Sequence, residues 1–270
     1  MATAIQSGDS RPLSLVTGAS SGIGYELARK LAEVGYDVVM VSSNREKLSQ
    51  AAQNIRTETP SARIEIVQAD LTRADEVQKL YDCVQSLNRP VDIVAANAGV
   101  GVNGEFADTP LEDEIALINL NVTSQVHLVK LFTKDMLSRG GGDILITSSI
   151  AGIMPAPYMA VYAASKAFLR SFGEGIRQEL KDRNVNVTVL MPGPTDTDFF
   201  DRADMNDTKV AQGSKQDAEE VAEAALKALS DSSDHVIPGL KNKVQATIAK
   251  MMSDPARAKM HGSMAKPRQQ

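Results

Sequence analysis

The chain has 270 residues, of which 43% are hydrophobic and 23% charged, as is ordinary for a globular protein with a buried core. Its net charge of −5 gives no electrostatic support for binding nucleic acid or an acidic membrane. The single cysteine, Cys83, excludes an internal disulfide, and the three histidines are far apart in sequence, so we expect no metal site and a buried Cys83.

Short apolar, β-branched runs alternate along the chain with longer amphipathic segments. The predicted strands are 13–17, 37–41, 63–68, 91–96, 143–147, 185–190 and 235–238. The predicted helices between them are 23–34, 45–58, 74–87, 111–138, 160–183 and 217–230. Strands that alternate with helices indicate βαβ units, and near-continuous apolar strands indicate a sheet covered on both faces. The sequence therefore predicts an α/β, doubly wound Rossmann fold with a seven-stranded parallel sheet flanked by helices.

One domain is expected over residues 11–252, between a flexible N-terminal tail, 1–10, and a flexible C-terminal tail, 253–270. Residues 193–214 form a long connection rich in Pro, Asp and Thr, and connections of this length are usually functional lids or disordered segments. The segment after the seventh strand, GLKNKVQATIAKMM, has the pattern of an amphipathic helix. Such a helix could dock on a partner subunit, cover a pocket or lie on a membrane.

The N-terminal residues MATAIQSGDSRP lack the apolar run of a signal peptide. No stretch approaches the ~20 consecutive apolar residues that span a bilayer. We therefore expect a cytoplasmic protein with no membrane span.

The motif TGASSGIG follows the first predicted strand and opens the first predicted helix. Gly18 permits a tight turn, Gly22 lets the backbone approach a pyrophosphate, and Gly24 lets helix and strand pack closely. The helix N-terminus offers free N–H groups to phosphates. The motif predicts a dinucleotide site, although an ordinary strand-to-helix turn is the alternative for such a loop on its own. The other predicted contacts in this loop are Ser20, Ser21 and Ile23.

The end of the second predicted strand discriminates between NAD and NADP. An acidic residue there would bind the ribose 2′-hydroxyl of NAD and repel the 2′-phosphate of NADP. The sequence instead has Ser42, Ser43 and Asn44, followed by Arg45, whose guanidinium can pair with a phosphate. These residues favour NADP(H), with NAD(H) possible. Alternatively, Arg45 is a solvated residue at the start of a helix.

Polar residues also follow the third and fourth predicted strands, at the edge where open α/β sheets bind ligands. Asp70, with Leu71 beside it, is a candidate for contacting the adenine end of the cofactor, and it could also cap the next turn. Asn97 can bridge backbone groups beside the cofactor, together with Ala98 and Gly99.

Tyr162 and Lys166 are four residues apart on a predicted helix and therefore share one face. For Tyr162 to act as a base near neutrality, its pKa must fall from about 10 by about three, which corresponds to about 4 kcal/mol. One positive charge at about 4 Å supplies about 4 kcal/mol at an effective dielectric constant of about 20. Lys166 can thus lower the pKa of Tyr162, although the spacing alone also fits a surface pair.

Two further residues extend this pattern, because Ser149 ends the fifth predicted strand and Asn121 lies in the helix before it. With them, the sequence resembles the short-chain dehydrogenase/reductase superfamily, in its single-domain branch. The resemblance covers about residues 12 to 239. The matching residues, in the order of the family, are Thr17, Gly18, Gly22, Ile23, Gly24, Asn97, Ala98, Gly99, Asn121, Ser149, Tyr162, Lys166, Pro192 and Gly193.

The resemblance implies an NADP(H)-dependent oxidoreductase that uses a Ser-Tyr-Lys-Asn mechanism on a carbonyl or alcohol. Tyr162 would be the general acid in reduction and the base in oxidation, and Lys166 would lower its pKa and bind the nicotinamide ribose. Ser149 would polarise the carbonyl, and Asn121 would hold a water of a proton relay. The nicotinamide would contact the segment that contains Pro192, Gly193, Thr195 and Thr197.

The sequence departs from the commonest family pattern in three places. Ala96 rather than Asn precedes Asn97. Ser21 stands where NADP-using members often carry a basic residue, and Ser43 stands where they often carry Arg. The acidic residue of NAD-using members is absent as well.

The predicted substrate pocket is apolar, so we expect a hydrophobic or amphiphilic carbonyl compound. Its expected walls are Ile150, Met154, Pro155, Tyr158, Phe199, Phe200 and Met205. The phenylalanines could instead pin the lid to the core. The resemblance also implies a homodimer or homotetramer, with helices 111–138 and 160–183 at the interface.

An NADPH-binding regulatory or structural protein without significant turnover is the alternative function. The complete Asn–Ser–Tyr–Lys set argues against it, because a sensor has no need of an acid/base pair. Epimerase or dehydratase chemistry is disfavoured by the short substrate region.

Overall fold

A computed structural model describes residues 11–266, and its centre is one parallel sheet of seven strands in the order β3-β2-β1-β4-β5-β6-β7. The order reverses between β1 and β4, which places a crevice above the carboxyl ends of these strands. The predicted doubly wound α/β fold is confirmed. The strands are β1 (Leu13–Thr17), β2 (Asp37–Ser42), β3 (Ile64–Gln68), β4 (Val91–Ala96), β5 (Gly142–Thr147), β6 (Val185–Leu190) and β7 (His235–Val236).

Helices cover both faces of the sheet because strand side chains alternate between the faces. Leu15 of β1 belongs to one core cluster and its neighbour Val16 to the other. The Val16 face packs on α1 (Gly22–Glu33), α2 (Arg45–Glu58) and α9 (Ala218–Ser230). The Leu15 face packs on α3 (Ala74–Gln85), α5 (Ser124–Arg139) and α6 (Ala160–Leu180). The remaining helices are α4 (Leu111–Ile118), α7 (Phe199–Arg202), α8 (Lys209–Gln212), α10 (Leu240–Met251) and α11 (Asp254–Ala265).

The predicted strands agree with the observed ones to within two residues at each end. The helix expected over 111–138 is observed as one helical stretch, with a π-helical turn, Asn119–Thr123, between α4 and α5. Asn121 lies in this turn and is fully buried. Single π turns within α-helices are frequent at functional sites.

The C-terminal segment corrects the prediction of a flexible tail over 253–270, because most of it forms α11. Arg257 Nη1 donates to the carbonyl of Ile153 at 2.9 Å, and Asn103 Nδ2 donates to the carbonyl of Ala265 at 3.1 Å. The polar sequence of α11 is misleading, because the helix is held by hydrogen bonds to loops as well as by the packing of Met260 and the fully buried Ala265. The N-terminal tail, 1–10, and residues 267–270 lie outside the described residues.

Cys83 is exposed, which corrects the expectation of a buried thiol. Helix α3 turns Val77, Leu80 and Val84 toward the core, and Cys83 lies off this face.

The helical stretch Leu111–Arg139, of 29 residues, contains an 18-residue window with a mean hydropathy of 1.2 and is long and apolar enough to cross a membrane by length and composition alone. The core helix of a globular protein meets the same criteria. Helix α5 packs Leu128, Phe132 and Met136 into the core beneath the sheet. The stretch is therefore weak evidence for a membrane span.

Candidate active site

The glycine loop between β1 and α1 forms one wall of the cleft at the carboxyl edge of the sheet. Gly18 and Gly22 have φ values of +68° and +56°, which a side chain would strain. A Cβ on Gly24 would lie 2.2 Å from the Gly18 carbonyl oxygen, so only glycine permits this approach of α1 to β1. A Cβ on Gly22 would lie 2.7 Å from Cγ2 of Thr197 in the lid segment.

Thr17 and Asn97 join the ends of β1 and β4 beneath this loop. The backbone N–H groups of Asn97 and Ala98 donate to Thr17 Oγ1 at 2.9 and 3.0 Å. Asn97 Nδ2 donates to the Thr17 carbonyl at 3.1 Å. Asn97 therefore bridges backbone groups beside the glycine loop, as the sequence indicates.

The residues after β2 lie at the same edge, beside the glycine loop. The hydroxyls of Ser20 and Ser42 lie 2.9 Å apart. Ser43 and Arg45 are exposed, and Arg45 begins α2. Asn44 caps this helix by accepting the backbone N–H of Lys47 at 2.9 Å.

The residues after β3 have local structural roles. Asp70 Oδ1 accepts the backbone N–H and the hydroxyl of Thr72 at 3.1 and 2.7 Å, so it caps the turn that was the alternative to adenine binding. Leu71 is buried in the core. Neither residue lines the cleft, although both follow a strand at its edge.

Ser149, Tyr162 and Lys166 meet above the ends of β5 and β6. Ser148 Oγ donates to the Lys166 carbonyl at 2.6 Å, which fixes α6 against the end of β5. A Cβ on Gly152 would lie 2.6 Å from the Lys166 carbonyl carbon, so the 3₁₀ turn Ile150–Ile153 requires glycine to pack this closely on α6. Ser149, 9% exposed, caps this turn by accepting the Ala151 N–H at 3.1 Å.

Lys166 is 4% exposed, and its Nζ donates to the Thr147 carbonyl at 3.0 Å. The same Nζ lies 5.7 Å from the centre of the Tyr162 ring. Burial lowers the pKa of Lys166 to about 8. Tyr162 is 8% exposed, and its burial raises its pKa to about 12, although a hydrogen bond from Ser149 opposes this rise. The direction is opposite to the lowering that the charge of Lys166 alone leads us to expect.

Asn121 comes from the π turn on the other side of α6. Its Oδ1 accepts the Val100 N–H at 2.9 Å, and its Nδ2 donates to the Val100 carbonyl at 2.9 Å and to Ser165 Oγ at 3.1 Å. A Cβ on Gly99 would lie 3.1 Å from both Asn121 Oδ1 and Lys166 Nζ. Asn121 and Lys166 therefore border the same small space, even though Asn121 does not line the main cleft.

The segment expected as a lid contains two short helices, α7 and α8, packed over the cleft. Arg202 Nη2 donates to Ser21 Oγ at 2.9 Å, and Lys47 of α2 pairs with Asp198 at 3.4 Å, so the lid contacts the cofactor side of the cleft. The Phe199 ring lies 5.3 Å from the Tyr162 ring. The lid begins at Gly193, where a Cβ would collide with Asn242 of α10 at 2.3 Å.

The cleft has a volume of about 370 Å³. The predicted residues that line it are Gly18, Ser21, Gly22, Ile23, Gly24, Asn97, Ala98, Gly99, Ser149, Tyr162, Lys166, Pro192, Gly193, Thr195 and Thr197. Those at its edge but not in its lining are Ser20, Ser43, Asn44, Arg45, Asp70, Leu71 and Asn121.

The substrate end of the cleft agrees with the sequence in five of seven walls, namely Ile150, Met154, Phe199, Phe200 and Met205. Pro155 and Tyr158 do not line it, which corrects their prediction. Tyr158 has φ +67°, and its ring lies against α11 at Gly262 instead. Phe199 and Phe200 serve both predicted uses, since they line the cleft and belong to the cluster that packs the lid on Tyr162.

Residues that the sequence reasoning missed also line the cleft. Arg202 and Lys209 come from the lid, Asn242 from α10, and His261 and Met264 from α11. No local motif marks them, because they reach the cleft only through the packing of the last helices. The proline at the start of α11 was the one available signal.

A protein-family model described as short chain dehydrogenase matches residues 13–208. This chain belongs to the short-chain dehydrogenase family. It is an oxidoreductase of the kind that acts on CH–OH and C=O groups.

Similar proteins, one found by sequence and two by solved structure, match this short-chain dehydrogenase over most of its length. Ketoacyl reductase HetN from Nostoc sp. strain PCC 7120 is 30% identical over 88% of this chain and 82% of its own. The structure of a short-chain dehydrogenase from Sphingobium yanoikuyae in complex with NADPH has a TM-score of 0.80 and 28% identity, covering 96% of each chain. A bulky-bulky ketone specific alcohol dehydrogenase from Comamonas testosteroni has a TM-score of 0.75 and 27% identity, covering 90% of this chain and 94% of its own.

The residues of this short-chain dehydrogenase fit a nicotinamide dinucleotide. Ser21, at the N-cap of α1, makes no side-chain capping bond, so the first N–H groups of the helix remain available to a phosphate. Gly18 and Gly24 carry no side chains, so neither of these positions covers that helix end.

Proposed function

We propose that this short-chain dehydrogenase is NADP(H)-dependent and transfers a hydride between the nicotinamide and the carbonyl or alcohol of a hydrophobic compound, through Ser149, Tyr162, Lys166 and Asn121. The observation that carries this proposal is that Ser149, Tyr162 and Lys166 are buried close together beside the glycine loop. A regulatory or structural NADPH-binding protein has no use for a buried proton donor at this place, which disfavours the alternative.

When bound, the reduced nicotinamide supplies the hydride that joins the carbonyl carbon. The hydroxyls of Tyr162 and Ser149 hold the carbonyl oxygen, and Tyr162 donates its proton to it. The Lys166 ammonium stabilises the phenolate that Tyr162 becomes. Asn121 borders the space beside Lys166 Nζ, where it orients the path by which a proton returns to Tyr162.

The pKa directions bear on the proton that Tyr162 would donate to a carbonyl. A pKa of about 12 keeps Tyr162 protonated, and therefore a donor, throughout the neutral range. A pKa of about 8 leaves most of Lys166 charged at neutral pH. Oxidation of an alcohol needs the opposite state of Tyr162, which the positive charges of Lys166 and an oxidised nicotinamide would have to stabilise together.

Three features support a preference for NADP(H) over NAD(H). No carboxylate ends β2, where Ser42 and Ser43 stand instead. Arg45 and Lys47 lie in the first turn of α2. Arg202 brings a guanidinium to Ser21, the position where NADP-using relatives often carry a basic residue.

An exposed apolar surface on α4 and α6 supports homo-oligomerisation. Leu111 is 72% exposed, and Ile115 and Ile118 of α4 and Phe168 of α6 are also exposed. Contiguous apolar surface of this kind is characteristic of subunit interfaces. We propose a homodimer or homotetramer built on this α4–α6 surface, in the cytoplasm.

The replacement Tyr162→Phe tests the mechanism, because it removes one hydroxyl from the site. We expect turnover of ketones to fall by about 10²- to 10⁴-fold, the usual contribution of a general acid. The dissociation constant of NADPH should stay within about threefold. Turnover is followed by NADPH absorbance and binding by NADPH fluorescence.

Tyr158→Phe is the matched control, because Tyr158 lies in the adjacent loop outside the cleft and should retain turnover. Full activity in Tyr162→Phe would refute the mechanism. NADPH binding without turnover of any ketone or aldehyde in a broad panel would favour the regulatory alternative.

A further inference from the structure

The charged residues of the cleft lining all carry the same sign. They are Lys166, Arg202, Lys209 and Lys241, and among the described residues no Asp or Glu lines the cleft. This composition departs from that of the chain, which has 34 acidic and 29 basic residues. A cleft lined by one sign of charge concentrates ligands of the opposite sign.

Two of these cations belong to the cofactor side of the cleft. Lys166 is buried beside Tyr162 and bonds the Thr147 carbonyl. Arg202 contacts Ser21 of the glycine loop and lies 3.8 Å from Asp198. Neither of them is available to the far end of a substrate.

Lys209 and Lys241 remain, one on the lid and one on α10. Lys209 begins α8, and Lys241 lies in the first turn of α10. Asn242 Nδ2 donates to Gln216 Oε1 at 3.2 Å, which holds the start of α10 against the end of the lid. The two lysines of the cleft lining are here called the lysine rim. Within residues 11–266, neither lysine forms an ion pair.

Much of the lining contributed by the 3₁₀ turn, the lid and the last helices is apolar. It is formed by side chains of the 3₁₀ turn, the lid and α11, namely Met154, Phe200, Met205, Val210 and Met264. A ligand that reaches from Tyr162 to the rim must therefore present an apolar body to these side chains and can end in a charged group at the rim.

From this arrangement we infer that the substrate is an apolar carbonyl compound with an acidic group, a carboxylate or a phosphate ester, which the lysine rim binds. This inference rests on the proposed function and specifies its substrate class. The carbonyl lies at Ser149 and Tyr162, and the acidic group lies at Lys209 and Lys241. The contribution of the rim is modest, because both lysines are exposed and solvent screens their charge.

The test compares acidic ketones with neutral partners of the same skeleton. Oxo-carboxylic acids are assayed beside their methyl esters, and oxo-alkyl phosphates beside the corresponding alcohols, each with saturating NADPH. We expect kcat/KM to be about three- to tenfold higher for the acids, through KM, because two exposed ion pairs contribute about 1 kcal/mol. This advantage should shrink as salt is added, since salt screens the pairs.

The double replacement Lys209→Gln and Lys241→Gln should remove the advantage of the acids and leave the neutral partners within about twofold. Lys243→Gln is the matched control, because Lys243 is an exposed lysine of the same helix outside the cleft lining. Whether the carboxylates or the phosphates lose more identifies the acidic group.

Equal kcat/KM for acids and neutral partners, or an advantage that survives the double replacement, would overturn this inference while leaving the proposed function intact. A weaker affinity for NADPH in the double variant would also overturn it, by assigning the rim to the cofactor. Absence of turnover with every ketone, acidic or neutral, would instead contradict the proposed function itself.

Discussion

The hydroxyl of Ser42 lies 2.9 Å from that of Ser20, so the end of β2 directly adjoins the glycine loop. A carboxylate at this position would lie where a ribose 2′-substituent is expected and would repel a phosphate there. In our proposal, the absence of a carboxylate from this side chain favours NADP(H).

We expect the wild-type protein to bind NADPH more tightly than NADH, and Ser42→Asp to weaken NADPH binding by at least about tenfold. Two like charges at about 4 Å repel by about 4 kcal/mol at an effective dielectric constant of about 20, which exceeds what a tenfold change requires. Fluorescence titration with both cofactors measures the effect. Ser42→Asn, of equal size and without charge, is the control. A wild-type preference for NADH would refute the interpretation of Ser42 to Arg45.

Some properties of the individual site residues cannot be predicted from the sequence. The spacing of Tyr162 and Lys166 predicts that they share a face, and the structure brings them together. Their burial has no signature in the sequence, yet it dominates the pKa of both side chains. Arg202 was missed for a similar reason, since its approach to Ser21 depends on how the lid packs.

At the scale of elements, α11 is a wall of the substrate end of the cleft. Its Met264 and His261 line the cleft, and burial keeps the pKa of His261 below its usual value, which favours the neutral imidazole. Asn103 Nδ2 donates to the carbonyls of Tyr158 and Ala265 at 3.2 and 3.1 Å, so one amide joins three separate segments.

Removal of residues 253–270 should raise KM for apolar ketones by about tenfold or more and leave the dissociation constant of NADPH within about threefold. The physical reason is that α11 supplies apolar contact at the substrate end and none at the glycine loop. Steady-state kinetics and NADPH titration separate the two effects.

Removal of residues 267–270 alone serves as the control for this truncation. If the longer truncation does not fold, Met264→Ala offers a milder test, with a rise of a few-fold in KM. An unchanged KM in Met264→Ala and in a folded truncation would show that α11 does not contact the substrate.

The α4–α6 surface concerns the whole molecule, since it shares a helix with the cleft. Helix α6 places Tyr162 and Lys166 in the cleft. It presents Val161 and Phe168 to a groove on its other side. Association through this surface would bury the outer side of the helix that holds the reacting groups. Subunit contact and catalytic geometry are therefore expected to depend on each other.

Ile118→Glu combined with Phe168→Glu should shift the protein toward the monomer and lower its melting temperature, because each introduced carboxylate would be desolvated at the interface. Light scattering after size-exclusion chromatography measures the mass. Val34→Glu, at an exposed apolar residue directly after α1, is the control and should leave the mass unchanged. A monomeric wild-type protein would refute the α4–α6 interface.

The sequence predicts the fold of the whole molecule better than it predicts single elements. Alternating strands and helices predict the sheet, because each apolar run is long enough for a buried strand and each crossover is right-handed. Elements without a strong apolar pattern were harder to predict, as α11 and the π turn around Asn121 show. Their conformation depends on partners distant in sequence, namely Ile153 for α11 and Val100 for Asn121.

The bond from Asn103 to Ala265 spans 162 positions of the chain. Ribosomes deliver the chain from its N-terminus, and domains fold in that order. The glycine loop, Tyr162 and Lys166 therefore leave the ribosome well before α11 can close the substrate end of the cleft. The substrate end of the cleft is therefore the last part of the site for which the chain supplies its residues.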